Sequence, residues 1–79
     1  MKKVAIVGSG SWGSALAMYL AGHSDEVSVW SFSENERDLM NNEHKCAFLP
    51  NCVIPENVHA SNDFKEVLEG AEAILHVTP

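Results

Sequence analysis

Basic side chains are scarce in this chain. Across 79 residues, five Lys and Arg face eleven Asp and Glu, a net charge of −6. Such a balance repels a polyanion at long range and leaves no cationic stripe for one to follow, which excludes nucleic acid as a partner. Long hydrophobic runs are missing as well. Nothing approaches the ~18 apolar residues needed to cross a bilayer, and Met1-Lys2-Lys3 opens onto the short run Val4 to Val7 before a glycine, too brief for the core of a secretory leader. The expectation is a cytoplasmic protein with no membrane insertion. Cysteine is limited to Cys46 and Cys52, which a reducing compartment would keep as free thiols. With His44 and His59 they match no C-x2-C or H-x3-H spacing, so no metal site is expected.

What remains is an ordinary globular composition arranged in an alternating pattern. Val4 to Val7 is a continuous apolar run closed by Gly8, as in a strand buried on both faces of a parallel sheet. WGSALAMYLA, residues 12 to 21, consists of good helix formers with Ala15, Leu16, Tyr19 and Leu20 on one stripe and Gly22 placed to stop it. EVSVW, residues 26 to 30, alternates polar with β-branched and aromatic residues and reads as a second strand, with Trp30 ending its apolar side and joining the core. Ser33 and Glu36 form a capping box for a second helix running to Asn41 or Asn42. After an irregular stretch with two prolines, Val58 to Ser61 is a short third strand. Asp63 and Glu66 then signal a short third helix stopped at Gly70, and Ala73 to Val77 forms a fourth, buried strand. This β-α-β-α-β-α-β order demands right-handed crossovers. It predicts an α/β, doubly wound parallel sheet of the Rossmann type with strand order 3-2-1-4.

The stretch that carries chemistry is GSGSWG, residues 8 to 13. Three glycines in a G-x-G-x-x-G pattern are weak evidence alone, but here they follow a buried strand and open a helix inside a βαβ unit. Gly8 turns the chain sharply off the strand, Gly10 leaves room for a pyrophosphate, and Gly13 lets the helix pack closely on the sheet. The N–H groups of Ser11, Trp12 and Gly13 fall at the helix N-terminus, where unpaired donors and the helix dipole favour an anion. The ribose-reading Asp or Glu that usually ends the second strand is missing: the chain reads Ser31-Phe32-Ser33-Glu34 there. No Lys or Arg stands at that strand end either, Arg37 being about a helical turn farther on, so NAD and NADP both remain open as cofactor. Phe32 offers an apolar face to an adenine ring or anchors a loop, and Phe48 in CAFLP has the same two uses.

GSGSWGSALA, Glu26-Val27 with Val29-Trp30, Phe48-Leu49-Pro50 and the closing Ile74-Leu75-His76-Val77-Thr78-Pro79 together resemble the N-terminal domain of bacterial NAD(P)-dependent glycerol-3-phosphate dehydrogenases. The resemblance spans the whole chain, and the Ser-Trp pair inside the turn makes it more specific than the glycines. It implies an oxidoreductase interconverting dihydroxyacetone phosphate and sn-glycerol 3-phosphate for phospholipid synthesis. It also implies dinucleotide contacts from Ser11, Trp12, Phe32, Ser33 and Phe48, beside those of Gly8, Gly10 and Gly13. The family often has Arg or His where Phe32 stands, which weakens an NADPH assignment here. On this reading residues 1–79 are the N-terminal part of the dinucleotide-binding domain. The catalytic lysines, the small phosphorylated substrate's site and a helical C-terminal domain lie outside the chain, which alone is expected to be inactive. The full-length form is expected to be a homodimer. No catalytic residue is assigned: Lys45 and Lys65 read as loop and solvent-face residues, and His76 as a strand-end histidine. A non-catalytic dinucleotide-sensing module would use the same turn, and sequence beyond Pro79 would separate the two.

Overall fold

The computed structural model describes residues 2–8, 10–31, 33–46 and 51–77. Four parallel strands form one sheet: β1 (Lys3–Val7), β2 (Glu26–Trp30), β3 (Val58–Ser61) and β4 (Ala73–His76), in spatial order β3-β2-β1-β4 as expected. Helix α1 (Gly10–Ala21) crosses from β1 to β2, α2 (Glu34–Asp38) continues into a π-helical turn (Leu39–Glu43) before β3, and α3 (Phe64–Leu68) crosses from β3 to β4.

The strand register sorts the side chains into two faces. Val4 pairs with Val27 and Val27 with Val58, while Ile6 pairs with Val29 and Val29 with Ala60. Because residues in register share a face, these six form one apolar surface. All are buried, and Ala17 of α1, Met40 of the π-helical turn and Ile54 close over it. Each such valine or isoleucine contributes roughly 1.5–3 kcal/mol when taken from water. The opposite face carries Ala5, Ser28 and His59 in one row and Val7, Trp30 and Ser61 in the next. It is covered by α3 through the buried Val67. Trp30 does not end the apolar side of β2 or join the core as expected: it lies on this second face with Ser28, half-buried, its indole stacked on Phe64 at 4.3 Å and its Nε1–H donated to the Asn62 carbonyl at 3.0 Å.

The helices begin where the capping residues predict. Ser33 Oγ accepts the Glu36 N–H at 3.3 Å, and Asp63 Oδ1 accepts the Lys65 N–H at 2.9 Å. The second helix does not remain α-helical to Asn41; it widens to π geometry at Leu39. That turn delivers Asn41 to the outer edge of β3, where its amide both donates to the Ala60 carbonyl and accepts the Ala60 N–H, each at 2.8 Å.

Three further expectations are corrected. The buried face of α1 is Gly13, Ser14 and Ala17, flanked by half-buried Leu16 and Leu20, whereas Ala15 is exposed and Tyr19 is 66% exposed. Close packing on the sheet selects the small residues of the helix, and the bulky Tyr19 turns outward against His23. Strand β4 is not buried: Ile74 is 56% and Leu75 38% exposed, because among the described strands β4 pairs with β1 alone and forms an edge of the sheet. Cys46 and Cys52 are not free thiols but form a disulfide, with Cα atoms 5.6 Å apart. The connector is pinched just outside the pair, where the Ile54 N–H donates to the His44 carbonyl at 2.7 Å, and this closure brings the two cysteines within bridging range.

Candidate functional site

The glycine turn sits at the C-terminal edge of the sheet, between the strand that leaves toward β2 and the one that returns as β4. In an open parallel sheet this reversal of strand order opens the crevice that takes ligands. Two hydrogen bonds define it: the Gly8 N–H donates to the Trp30 carbonyl at 3.1 Å, and the Val77 N–H donates to the Val7 carbonyl at 2.9 Å. The ends of β1, β2 and β4 therefore meet around the turn.

The glycines differ in what demands them. Gly8 has φ +121, and a Cβ there would collide with the Val77 carbonyl; a Cβ on Gly13 would collide with the Gly8 carbonyl. Both are required by the protein's own packing. Gly10 has φ +72 and begins α1, yet a Cβ there would meet nothing within 4 Å. Open space stands over Gly10, and a side chain would fill it.

Around that space the first turn of α1 presents backbone N–H groups that have no acceptor inside the helix, and it contains no acidic side chain to neutralise their positive end. Ser11 is exposed, and Trp12 is 71% exposed, an indole left in solvent at the mouth of the turn. The turn thus fits the anionic diphosphate of a dinucleotide by two independent features: room above the backbone and unpaired donors aimed out of the helix.

Of the expected contact residues, Gly8, Gly10, Ser11, Trp12 and Gly13 are brought together in this turn. Ser33 lies across from it at the end of β2, but its hydroxyl is committed to capping α2 and its N–H to Ser31 Oγ at 3.2 Å. Phe32 and Phe48 lie outside the described residues. His76 is exposed on β4, and Lys45 and Lys65 are exposed away from the turn. Among the described residues, no group of three or more His, Cys, Asp and Glu side chains has a metal-holding arrangement, and no helix is long and apolar enough to cross a membrane.

Spacing along the chain missed a polar cluster at the end of β2. Ser31, fully buried, donates its hydroxyl proton to Glu36 Oε2 at 2.9 Å. Asn62 donates its amide to the Ser31 carbonyl and receives Arg37 Nη1 on its own Oδ1. Glu36, in the first turn of α2, thus brings a carboxylate to the end of β2. The signal for it was the capping box, since a glutamate at the third helical position folds back toward the strand it follows.

Strand order, the reversal at β1 and the glycine turn define a Rossmann-type domain. The profile of a family described as "NAD-dependent glycerol-3-phosphate dehydrogenase N-terminus" matches residues 3–79. The chain belongs to that family. It is 38% identical over 80 residues to a glycerol-3-phosphate dehydrogenase [NAD(P)+] of Bacillus pumilus, covering 100% of this chain and 23% of the relative. It is 40% identical to the glycosomal glycerol-3-phosphate dehydrogenase [NAD(+)] of Trypanosoma brucei brucei, again over 100% of this chain and 23% of the relative. The crystal structure of glycerol-3-phosphate dehydrogenase from Coxiella burnetii superposes with a TM-score of 0.87 at 42% identity, over 99% of this chain and 24% of that one. The chain therefore spans about a quarter of the length of these relatives.

Proposed function

We propose that this chain is the N-terminal part of the dinucleotide-binding domain of a glycerol-3-phosphate dehydrogenase. The observation that carries the reading is Gly10, a glycine with left-handed φ and open space above it, at the N-terminus of α1 and at the switch point of the sheet. The backbone N–H groups of Ser11 and Trp12, in the first turn of α1, would hold the diphosphate, the Ser11 hydroxyl would add a donor, and Trp12 would cover the bound dinucleotide from the solvent side. Gly8 and Gly13 serve indirectly, by letting the turn close tightly enough to aim those donors. Phe32, Ser33 and Phe48 complete the proposed contact set.

When bound, a nicotinamide dinucleotide supplies hydride transfer, here between its ring and C2 of dihydroxyacetone phosphate or sn-glycerol 3-phosphate. This chain's own residues bind and orient; none is proposed to move a proton. The phosphorylated substrate and the catalytic side chains belong, on this proposal, to a longer polypeptide with a helical C-terminal domain. That polypeptide would cover the exposed face and edge of β4, assemble as a homodimer and work in the cytoplasm. Titration of the intact protein with NADH and NADPH, read by Trp12 fluorescence, tests the reading: saturable quenching by either supports it, and no response to either refutes it.

A further inference from the structure

The connector between the π-helical turn and β3 is closed on itself at two levels. At its base the Ile54 N–H donates to the His44 carbonyl at 2.7 Å, and the His44 Nδ1–H donates to the Ile54 carbonyl at 3.2 Å. Ile54 is buried in the same core cluster as Met40, which fixes that base against the sheet. Just outside it stands the Cys46–Cys52 bridge, with a sequence separation of 6. The base does not depend on the bridge, because its hydrogen bonds and the burial of Ile54 persist when the S–S bond opens. Both cysteines therefore stay within reach of each other as thiols.

The two sulfurs are not equivalent. Cys46 is half-buried, whereas Cys52 is buried and its Sγ lies 3.2 Å from Met18 Sδ on α1. A thiol arriving from solvent meets Cys46 first. Cys52, once released, already has a neighbour for its proton, since a thiol donates weakly to a thioether. The crosslink itself is only modestly favoured: stabilisation by a disulfide grows with the loop it closes, and a separation of 6 is short. In a reducing compartment such as the cytoplasm proposed above, the disulfides that do form are usually transient and redox-sensing.

We infer that Cys46–Cys52 is a reversible thiol-exchange site, opened by a glutathione-class thiol that attacks Cys46. In the first step the thiolate bonds to Cys46 Sγ, the S–S bond breaks, and Cys52 leaves as a thiolate that takes a proton from water. A second thiolate then attacks the sulfur of the first in the mixed disulfide, which forms the small-molecule disulfide and releases Cys46 to be protonated in turn. Two small thiols are oxidised to one disulfide, and the protein bridge is reduced by two electrons. Oxidised glutathione drives the same steps backwards and closes the bridge. No residue of the glycine turn takes part, so the site stands or falls independently of dinucleotide binding.

The test places the intact protein in glutathione buffers whose reduced-to-oxidised ratio runs from about 1:1 to about 1000:1, with free thiols labelled by maleimide and located by peptide mass mapping. Cys46 and Cys52 should pass together from unlabelled to labelled and return when the ratio is reversed, while circular dichroism stays unchanged. In Cys52→Ser, oxidised glutathione should leave one glutathione on Cys46; in Cys46→Ser, the adduct on Cys52 should form at least about tenfold more slowly. A bridge that survives the most reducing buffer in the native protein, or never forms in the most oxidising one, overturns the exchange site without need of a variant. Loss of the folded signal on reduction overturns the independence of the base, and adducts forming equally fast in the two variants overturn Cys46 as the sulfur attacked.

Discussion

The two sides of the sheet about β1 are finished to different degrees. On the β2–β3 side, Val27, Val29 and Val58 are buried under α1, Met40 and Ile54, and the outer edge of β3 is occupied at Ala60 by the Asn41 amide. A covered edge of this kind offers few unpaired groups to another chain. On the β4 side, a strand of equally apolar composition leaves Ile74 and Leu75 in solvent, with no described strand beyond it. The difference teaches that burial here follows coverage by neighbouring elements, not the hydrophobicity of the strand itself. The glycine turn lies on the boundary, tied to β2 through Gly8 and to β4 through Val77.

Substitutions can break this contrast. The largest effect is expected from Gly8→Ala, which would force a methyl group into the Val77 carbonyl at a φ of +121. Overpacking contributes about 1–3 kcal/mol and the backbone conformation about 1–3 more, so roughly 4 kcal/mol of stability should be lost in urea denaturation. Next comes Ile54→Ala, a truncation in the covered half, at about 3 kcal/mol. The matching truncation on the open half, Leu75→Ala, should stay within about 1 kcal/mol. Equal losses at Ile54 and Leu75 would mean that the two halves are equally packed. The smallest of the larger effects concerns the connector: reducing the Cys46–Cys52 disulfide releases a loop of sequence separation 6 and should cost about 2 kcal/mol. A thermal melt with and without dithiothreitol measures it, and a melt unmoved by reductant contradicts the crosslink.

The parts legible in the sequence are those whose physics is local. Strand β1 and its glycine turn were visible because an apolar run ending in Gly8 has few alternative uses, and Ser33 and Asp63 marked helix starts that the structure reproduces. Strand order followed from the alternation of elements and the handedness of crossovers. What stayed hidden depends on partners distant in sequence. The inward face of α1 was misjudged because Gly13 and Ala17, which approach the sheet most closely, carry a weaker hydrophobic signal than Tyr19, which points away. β4 looked buried because its composition records a burial that no described element of this chain provides. The contact of Glu36 with Ser31 was missed because it joins the first turn of α2 to the strand end, a pairing that neither element's own pattern records.

Central to the account is that the space over Gly10 is kept for a ligand: its φ of +72 already favours glycine, but, unlike at Gly8 and Gly13, no protein atom stands where a side chain would go. The most direct measurement is the NADH affinity of the intact protein compared with Gly10→Val, alongside circular dichroism of both. The prediction is a folded variant whose NADH affinity falls by more than about tenfold, because the side chain occupies the space meant for the diphosphate. A folded Gly10→Val protein that binds NADH as tightly as the wild type would contradict it.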